Sequence, residues 1–343
     1  MTPTIIILSS ILAFQSAAIQ SDSIEVVLEY KSSVRALEVV DESTIIFSGY
    51  GGLIGVSRDS GNSWDTTRVE YEGKFPAFRA CSAFEDQMFI ASIESPGLIF
   101  RLPLDNLNSK ELLYKNENPD VFLDAMAFTD DGMGIVMGDP QNECITIIRS
   151  HAQESNWEEI PCELIPKAIK GEAAFAASNG NISIVGDNVW IATGGKASRV
   201  FHSRNSGETW TTYETPIIQG GQMTGAFAIS FKDANTGIMI GGDWENKDNN
   251  FGNICRTRDG GKTWDLISDG DGPGYRSSII WSPINVNTCV AIGSEGIDIS
   301  HDEGSTWKRL SDEGYYTGRF STDDQTLWLA GHGKLSKLNI NDD

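Results

Sequence analysis

The sequence predicts an all-β fold built from repeated antiparallel units, and three observations support this prediction. A turn motif ending in tryptophan recurs along the chain, and a pattern of strand, Gly-rich turn and strand recurs with it. Helical periodicity is absent, because no segment keeps a 3.6-residue apolar period over three turns. The two repeats therefore determine the predicted fold.

The turn motif is an eight-residue segment in which Ser or Thr precedes Trp by seven positions. Four copies are nearly complete: SRDSGNSW at 57–64, SRNSGETW at 203–210, TRDGGKTW at 257–264 and SHDEGSTW at 300–307. A third-position Asp or Asn accepts backbone N–H groups of a turn, Gly supplies a positive φ, and Trp packs on neighbouring strands. We therefore expect structural roles for Asp59, Trp64, Asn205, Trp210, Asp259, Trp264, Asp302 and Trp307.

The second repeat contains two apolar strands joined by a Gly-rich turn, as in STIIFSGYGGLIGVS, and it occurs seven times. A further strand precedes each copy, beginning near Arg35, Arg79, Asp124, Glu172, Gln222, Arg276 and Tyr316. These starts are separated by about 40 to 54 residues, which is the length of a four-stranded blade. The pattern predicts a seven-bladed β-propeller of four-stranded antiparallel blades.

The chain ends support the same count of blades. The last unit, from 316 to 340, has room for three strands, while SIEVVLEY at 23–30 is a spare strand before the first blade. An N-terminal strand that completes the last blade would close the ring and remove its free edges. We therefore expect a single domain over residues 23–340.

The first residues resemble an export signal. An apolar stretch from Ile5 to Phe14 is followed by Ser16, Ala17 and Ala18, so residues 1–18 are predicted to be a cleaved signal peptide. The stretch lacks a preceding Lys or Arg, which leaves an uncleaved anchor as the alternative. No later segment approaches the roughly 18 apolar residues of a membrane helix. The mature protein is predicted to be secreted or periplasmic, monomeric and not inserted in a membrane.

The charge balance argues against several classes of ligand. The chain has 26 basic and 48 acidic residues, a formal net charge of -22, which would repel a nucleic-acid backbone. The Gly-rich stretches lack the strand-then-helix context of a nucleotide-binding loop, and no Cys/His spacing suggests zinc. We expect no nucleic-acid partner, no cofactor and no metal.

Two of the five cysteines flank a predicted hairpin. If Arg149 pairs with Trp157, the same register places Cys144 opposite Cys162. Export to an oxidising compartment would permit a disulfide there. The alternative is a pair of buried thiols, and the sequence does not decide between them.

Propeller geometry locates a candidate site. The first strands of the blades line the central channel and begin on the face that carries the loops between second and third strands, whereas the Trp-ending turns lie on the opposite face. Candidate binding residues at the strand starts are Arg35, Arg79, Arg276 and Gln222, and those in the loops are Asp139, Lys196, Asp243 and His332. Arginines from separate blades can clamp a carboxylate or phosphate. We expect an anionic small molecule, an acidic glycan or a partner protein as ligand, the alternative being internal salt bridges and water.

The turn motifs resemble the Asp box of BNR-repeat propellers, and over roughly residues 25–340 the pattern looks like the photosystem II stability/assembly-factor-like branch of that group. More distantly it is similar to sialidase and sortilin-type propellers. The resemblance to the assembly-factor branch implies a non-enzymatic binding or assembly protein that recognises its client through an arginine patch.

The sialidase resemblance implies a second function, that of a glycoside hydrolase or lyase on sialic acid or uronate-containing glycans. Arg35, Arg79 and Arg276 would then be the clamp, Tyr316 with Glu172 the nucleophile pair and Asp124 the acid. The R-I-P segment of sialidases is missing, and that family normally has six blades. In a lyase, His332 would be the sole candidate base.

Overall fold

The computed structural model describes residues 24–340, and its regular structure there is β-strand apart from one 3₁₀ turn, Cys162–Leu164. Within these residues no helix is long and apolar enough to cross a membrane. The predicted signal peptide lies outside the described residues. The prediction of an all-β fold is confirmed.

The strands follow each other mostly as antiparallel hairpins. The first half of the chain contains β1 (Glu25–Val39), β2 (Ile45–Gly49), β3 (Leu53–Ser57), β4 (Asp65–Arg68), β5 (Phe78–Phe84), β6 (Gln87–Ser92), β7 (Gly97–Pro103), β8 (Glu111–Asn116), β9 (Leu123–Phe128), β10 (Met133–Gln141), β11 (Cys144–His151), β12 (Glu158–Glu159), β13 (Glu172–Ala173) and β14 (Ile182–Val185). The second half contains β15 (Asn188–Ala192), β16 (Gly194–Gly195), β17 (Arg199–Ser203), β18 (Thr211–Glu214), β19 (Thr224–Phe231), β20 (Gly237–Asp243), β21 (Ile254–Thr257), β22 (Asp265–Leu266), β23 (Ser278–Trp281), β24 (Cys289–Gly293), β25 (Gly296–Ser300), β26 (Lys308–Ser311), β27 (Thr317–Phe320), β28 (Thr326–Ala330) and β29 (His332–Asn339).

Antiparallel four-stranded sheets dominate this part of the chain. Four sheets have four strands each, in the orders β5 to β8, β9 to β12, β14-β15-β17-β18 and β23 to β26. A six-stranded sheet contains β19 to β22 together with the short strands β13 and β16. A seven-stranded sheet runs β27-β28-β29-β1-β2-β3-β4 and so contains both ends of the described chain.

The long strand β1 joins the two ends of the described chain in this sheet. The N-terminal part of β1 pairs with β29, from Glu25 opposite Lys337 to Ser33 opposite His332. Its C-terminal part pairs with β2, from Val34 to Val39. Register shifts along β1 bend the strand between its two partners. The N-terminal strand thus completes the group of strands at the C-terminal end.

Burial differs between strands in a regular way. Every residue of β2 and β3 is buried, whereas β4 is largely exposed. Strands covered on both faces carry apolar side chains on both faces, which explains the near-continuous apolar runs. The apolar clusters lie between sheets, as where Ile46 and Val56 pack with Phe78 and Met88. The core is therefore divided among the contacts between sheets.

The four Trp-ending turns share one set of hydrogen bonds. The third-position side chain accepts the N–H group four residues later, at 2.8 Å for Asp59, 3.0 Å for Asn205, 2.9 Å for Asp259 and 2.7 Å for Asp302. The Gly of each turn has a φ between 80 and 84°. Each Trp Nε1 donates to the carbonyl group of that Gly. Side chain and backbone thus fix the turn between the third and fourth strands.

Cys144 and Cys162 form a disulfide with a Cα–Cα distance of 5.7 Å. The structure thereby decides between the two alternatives for this pair. The expected register is wrong by one residue, because Arg149 pairs with Glu158. The ladder ends at Glu159, and the 3₁₀ turn then carries Cys162 back towards Cys144.

Two inner strands begin later than the sequence suggests. The strand expected near Glu172 begins at Ile182, because Glu172 and Ala173 pair with Gly195 and Gly194 instead. Residues 174–181, here called the central segment, then leave the sheet. Similarly, β23 begins at Ser278, so Arg276 precedes the strand. Glu172 and Arg276 consequently do not occupy the positions assigned to them at strand starts.

Candidate functional site

The central segment crosses the space between the inner strands. Ser178 donates to a carbonyl group at 2.6 Å, and Asn179 accepts a backbone N–H at 2.8 Å. The Ser178 hydroxyl donates to the Ser277 carbonyl, and the Asn179 side chain bonds to the backbone of Cys81 and Met126. The carbonyl groups of Ser178 and Gly180 accept the Thr317 hydroxyl and the Ile229 N–H. Asn179 has a φ of 57°, a left-handed conformation that Asn tolerates better than most residues. The segment thus fills the centre of the strand array and joins several sheets.

On one side of this segment lies a group of residues that we call the mouth cluster, namely Arg35, Arg79, Asp124, Tyr275 and Tyr316. The Arg35 guanidinium lies 3.9 Å from the centre of the Tyr316 ring, in cation–π contact. Its Nη1 donates to the Ala177 carbonyl of the central segment at 3.2 Å. Its Nε is buried without a hydrogen-bond partner. These contacts fix the position of Arg35 and leave its Nε–H without an acceptor.

Arg79 lies close enough to Arg35 for the two cations to repel each other. Burial, and then repulsion from Arg79, lower the pKa of Arg35. Burial likewise lowers the pKa of Arg79, opposed by the carboxyl groups of Glu94 and Asp124. Among residues 24–340, no carboxylate forms an ion pair with either arginine. Two partly buried guanidinium groups without an ion-paired carboxylate are a candidate site for an anion.

Asp124 does not supply the missing anion. Its side chain is fully buried, and neither carboxyl oxygen accepts a well-aligned hydrogen bond. Burial, and then repulsion from Asp139, raise the pKa of Asp124 well above its usual range, although Arg79 opposes the shift. Burial and the charge of Asp139 thus both disfavour the charged form of Asp124.

A chain of aromatic contacts joins the central segment to Tyr275 of the mouth cluster. Phe175 of the central segment stacks on Phe227 at 4.0 Å, and Phe227 meets Tyr275 edge-on at 4.7 Å. Burial raises the pKa of Tyr275, while the charge of Arg35 opposes the shift. Sequence reasoning missed Tyr275, because the neighbouring Arg276 carries the charge and was assigned to the site instead. The start of β23 at Ser278 leaves Tyr275 in the loop ahead of the strand, and this late start of the apolar pattern is the sequence signal for it.

Two residues expected in the site are engaged elsewhere. Arg276 is 1% exposed and pairs with Asp298 at 2.7 Å. Glu172 pairs with Arg199 at 2.6 Å and accepts the Thr193 hydroxyl at 2.6 Å. The predicted three-arginine clamp is therefore reduced to Arg35 and Arg79. In the described part of the chain, no hydrogen bond links Glu172 to Tyr316.

The remaining candidates surround the cluster without touching its arginines. Gln222, Lys196 and His332 are exposed, and Asp243 is partly exposed and caps its own turn through the Glu245 N–H at 2.9 Å. Asp139 accepts the N–H group of Ala174 at 2.8 Å. Within residues 24–340, none of these five side chains forms an ion pair or a hydrogen bond with Arg35 or Arg79.

A small cavity of about 190 Å³ lies between the loop that carries Tyr50 and residues from 71–77 and 94–98. Tyr50 and Phe75, which are 58% and 50% exposed, stand at its edge with Glu94. Both Tyr50 and Glu94 are within electrostatic range of Arg79. The mouth cluster therefore continues into an aromatic-edged surface.

Comparison with known proteins is informative at the level of structure. No family model and no curated protein matches the chain. A structure described as YCF48 bound to D1 peptide has a TM-score of 0.65 and 12% identity, and the match covers 95% of this chain and 97% of that one. The chain has a β-propeller fold.

Two further structures support the same conclusion. YCF48 from Cyanidioschyzon merolae has a TM-score of 0.61 and 14% identity, with 92% of this chain and 97% of that chain covered. The WD40 domain of Neurospora crassa Pan2 has a TM-score of 0.64 and 10% identity, with 95% and 98% covered. At such low identity the likeness shows the fold alone, and function has to be argued from the site.

Proposed function

We propose that this chain is an exported, non-enzymatic binding propeller that holds an acidic segment of a partner protein at the mouth cluster. The observation that carries the proposal is the pair Arg35 and Arg79, two partly buried cations with which no carboxylate of the described chain forms an ion pair. In a chain with a net charge of -22, such a site is a local exception that selects anions.

The proposed architecture is a seven-bladed Asp-box propeller closed by β1. Seven apolar clusters each join neighbouring groups of strands, and one of them packs β1, β2 and β3 against β28 and β29. The pairing of β1 with both β29 and β2 supports closure at the same place. In a closed ring the inner strands begin around one opening, which would bring Arg35 and Arg79 together.

A protein segment is favoured as the ligand over a small anion. The exposed rings of Tyr50 and Phe75 line one cavity with Glu94, and they offer apolar contact area beyond a single charged group. Tyr50 and Glu94 are within electrostatic range of Arg79. The structure titled YCF48 bound to D1 peptide shows a propeller of similar fold with a peptide ligand. Small anions and acidic glycans are the other ligands to be tested.

Export is proposed from the predicted signal peptide, residues 1–18. The Cys144–Cys162 disulfide supports it, because disulfides form and persist mainly in oxidising compartments. The enzymatic alternative receives no such support. Glu172 is held by Arg199, and Arg276 by Asp298, so the side chains of a sialidase-like centre are not assembled.

The experiment is a selection from a displayed library of random dodecapeptides on the purified protein, run beside arrays of acidic and neutral glycans. We expect enriched peptides to contain Asp, Glu or a free C-terminal carboxylate, and the double variant Arg35→Gln/Arg79→Gln to capture none of them. Arg58→Gln is the matched control, because Arg58 lies in a Trp-ending turn outside the mouth cluster and its loss removes the same kind of charged group.

Three results would contradict the proposal. Peptides without acidic groups would show that the arginine pair does not select the ligand. Retention of acidic peptides by the double variant would place binding elsewhere. Capture of acidic glycans alone would replace the partner protein by a carbohydrate as ligand.

A further inference from the structure

A second cavity opens at the other end of the array of inner strands. Its volume is about 850 Å³, within the range of pockets that hold small organic ligands. Gly180, near the end of the central segment, lines it together with Ile182 at the start of β14 and residues from the C-terminal halves of inner strands. The central segment therefore separates this cavity from the mouth cluster, where Arg35 contacts Ala177.

The wall of this cavity combines apolar and polar surface in similar amounts. Side chains from several strands contribute, and Val39, Ile184 and Ile280 are partly exposed apolar residues among them. Two exposed apolar residues, Ile284 and Val286, belong to the loop that follows β23, and Val286 lines the cavity. Apolar surface of this kind favours the burial of a hydrocarbon or aromatic group.

Arg319 is one of three charged residues that line this wall, the others being Lys232 and Asp233. Its Nη1 donates to the Gly318 carbonyl at 2.7 Å and to the Thr317 hydroxyl at 3.3 Å. Within residues 24–340, its Nε and Nη2 have no hydrogen-bond partner and the guanidinium has no ion pair. A guanidinium with two unused nitrogens offers the geometry that a carboxylate accepts.

Within residues 24–340, no surrounding carboxylate forms an ion pair with Arg319. Glu38 lies within its electrostatic range, but one Glu38 oxygen accepts the Ala83 N–H at 3.1 Å and burial raises the pKa of this carboxyl. Lys232 is held by Glu303 at 2.5 Å, and Asp233 accepts the N–H groups of Asn235 and Thr236. Arg319 is left as the cation that faces the cavity.

We propose that this cavity binds a small amphipathic organic acid, with the carboxylate on Arg319 and the apolar body against the isoleucine-rich wall. The site is distinct from the mouth cluster, since the central segment lies between them. A ligand with one carboxylate and a body of several carbon atoms satisfies both the free guanidinium and the apolar surface. A simple anion such as acetate would leave the apolar wall in contact with water.

The test uses 4-phenylbutyrate as probe and its amide, 4-phenylbutyramide, as the uncharged control, with binding to the purified protein measured by calorimetry. We expect the wild type to bind the acid at least about tenfold more tightly than the amide, because the charge-assisted contact with Arg319 is lost in the amide. Arg319→Gln should reduce the affinity for the acid to that of the amide.

Two further variants test whether the probe occupies this cavity. Ser230→Phe places a ring in the cavity without altering Arg319 and should abolish binding of both compounds. Arg79→Gln, in the mouth cluster, should leave binding of the acid unchanged. Equal affinity for acid and amide, undiminished binding to Ser230→Phe, or loss of binding in Arg79→Gln would overturn the proposal. If Arg319→Gln does not fold, the Ser230→Phe result decides.

Discussion

Glu172 and Arg199 form an ion pair whose side chains are 0% and 8% exposed. Arg199 binds both carboxylate oxygens, through Nε at 3.1 Å and Nη2 at 2.6 Å. A buried pair of this kind contributes little net stability when intact, yet removal of one partner leaves an uncompensated buried charge. The pair is therefore a sensitive point of the fold.

Replacing the cation tests this role of Glu172. We expect Arg199→Met to lower the free energy of unfolding by about 3–5 kcal/mol in urea denaturation. The matched control is Lys167→Met, which breaks the Lys167–Glu143 pair, whose side chains are 73% and 71% exposed. The control should unfold at nearly the wild-type urea concentration. Equal effects of the two substitutions would show that Glu172 is not held as a buried charge.

His202 provides a test based on pH. It is 5% exposed and stacks on Trp190 at 4.8 Å, and burial lowers its pKa from 6.5 to about 4. As pH falls below 6.5, the unfolded chain gains a proton on His202 that the folded protein does not take up until about pH 4. Through this side chain, acidification favours the unfolded state.

We expect the urea midpoint to fall between pH 6.5 and 4, and to fall less in His202→Gln than in the wild type. His332→Gln, at an exposed position, should keep the wild-type pH dependence. An unchanged slope in His202→Gln would mean that His202 is protonated equally well in the folded state.

The residues of the mouth cluster are only partly predictable. Arg35 and Arg79 can be found from sequence because each precedes a regular apolar run, Arg35 where β1 begins to pair with β2 and Arg79 as the second residue of β5. Arg276 looks equivalent in sequence, but its strand begins at Ser278 and its side chain pairs with Asp298. Such pairing depends on a residue more than twenty positions away, and local pattern contains no information about it.

At the scale of elements, the central segment is the feature that sequence does not reveal. Its small residues at 174–181 resemble an ordinary inner strand. The chain leaves the sheet there because Glu172 and Ala173 pair with Gly195 and Gly194, and Asn179 and its neighbours then bond to other sheets. These partners come from distant repeats, so repeat spacing alone places the strand too early.

Asn179 tests the role of this segment. Its side chain accepts the Met126 N–H and donates to the carbonyl groups of Cys81 and Met126. We expect both Asn179→Ala and Asn179→Gly to destabilise the protein, because buried backbone groups lose their partners. The free energy of unfolding of Asn179→Ala should be lower than that of Asn179→Gly by about 1 kcal/mol, since Ala is strained at a φ of 57° and Gly is not. Urea denaturation of both variants provides the measurement, and equal stabilities would contradict the left-handed conformation.

At the scale of the whole molecule, the repeats make the all-β architecture predictable. Strand spacing and the Trp-ending turns follow from local chemistry that each unit repeats, and the N-terminal strand pairs with β29 as its position in the chain suggests. The two ends of the inner-strand array are less predictable, because each combines residues from several units. The mouth cluster and the Arg319 cavity therefore emerge only when the units are assembled.

We propose the arginine pair as the receptor for an acidic partner. The dissociation constant of a fluorescein-labelled acidic peptide from the selection, measured by anisotropy with wild type, Arg79→Gln and Arg58→Gln, tests this directly. We expect Arg79→Gln to bind at least about tenfold more weakly and Arg58→Gln to bind within about twofold of wild type. Equal affinities for all three proteins, or equal losses in both variants, would contradict it.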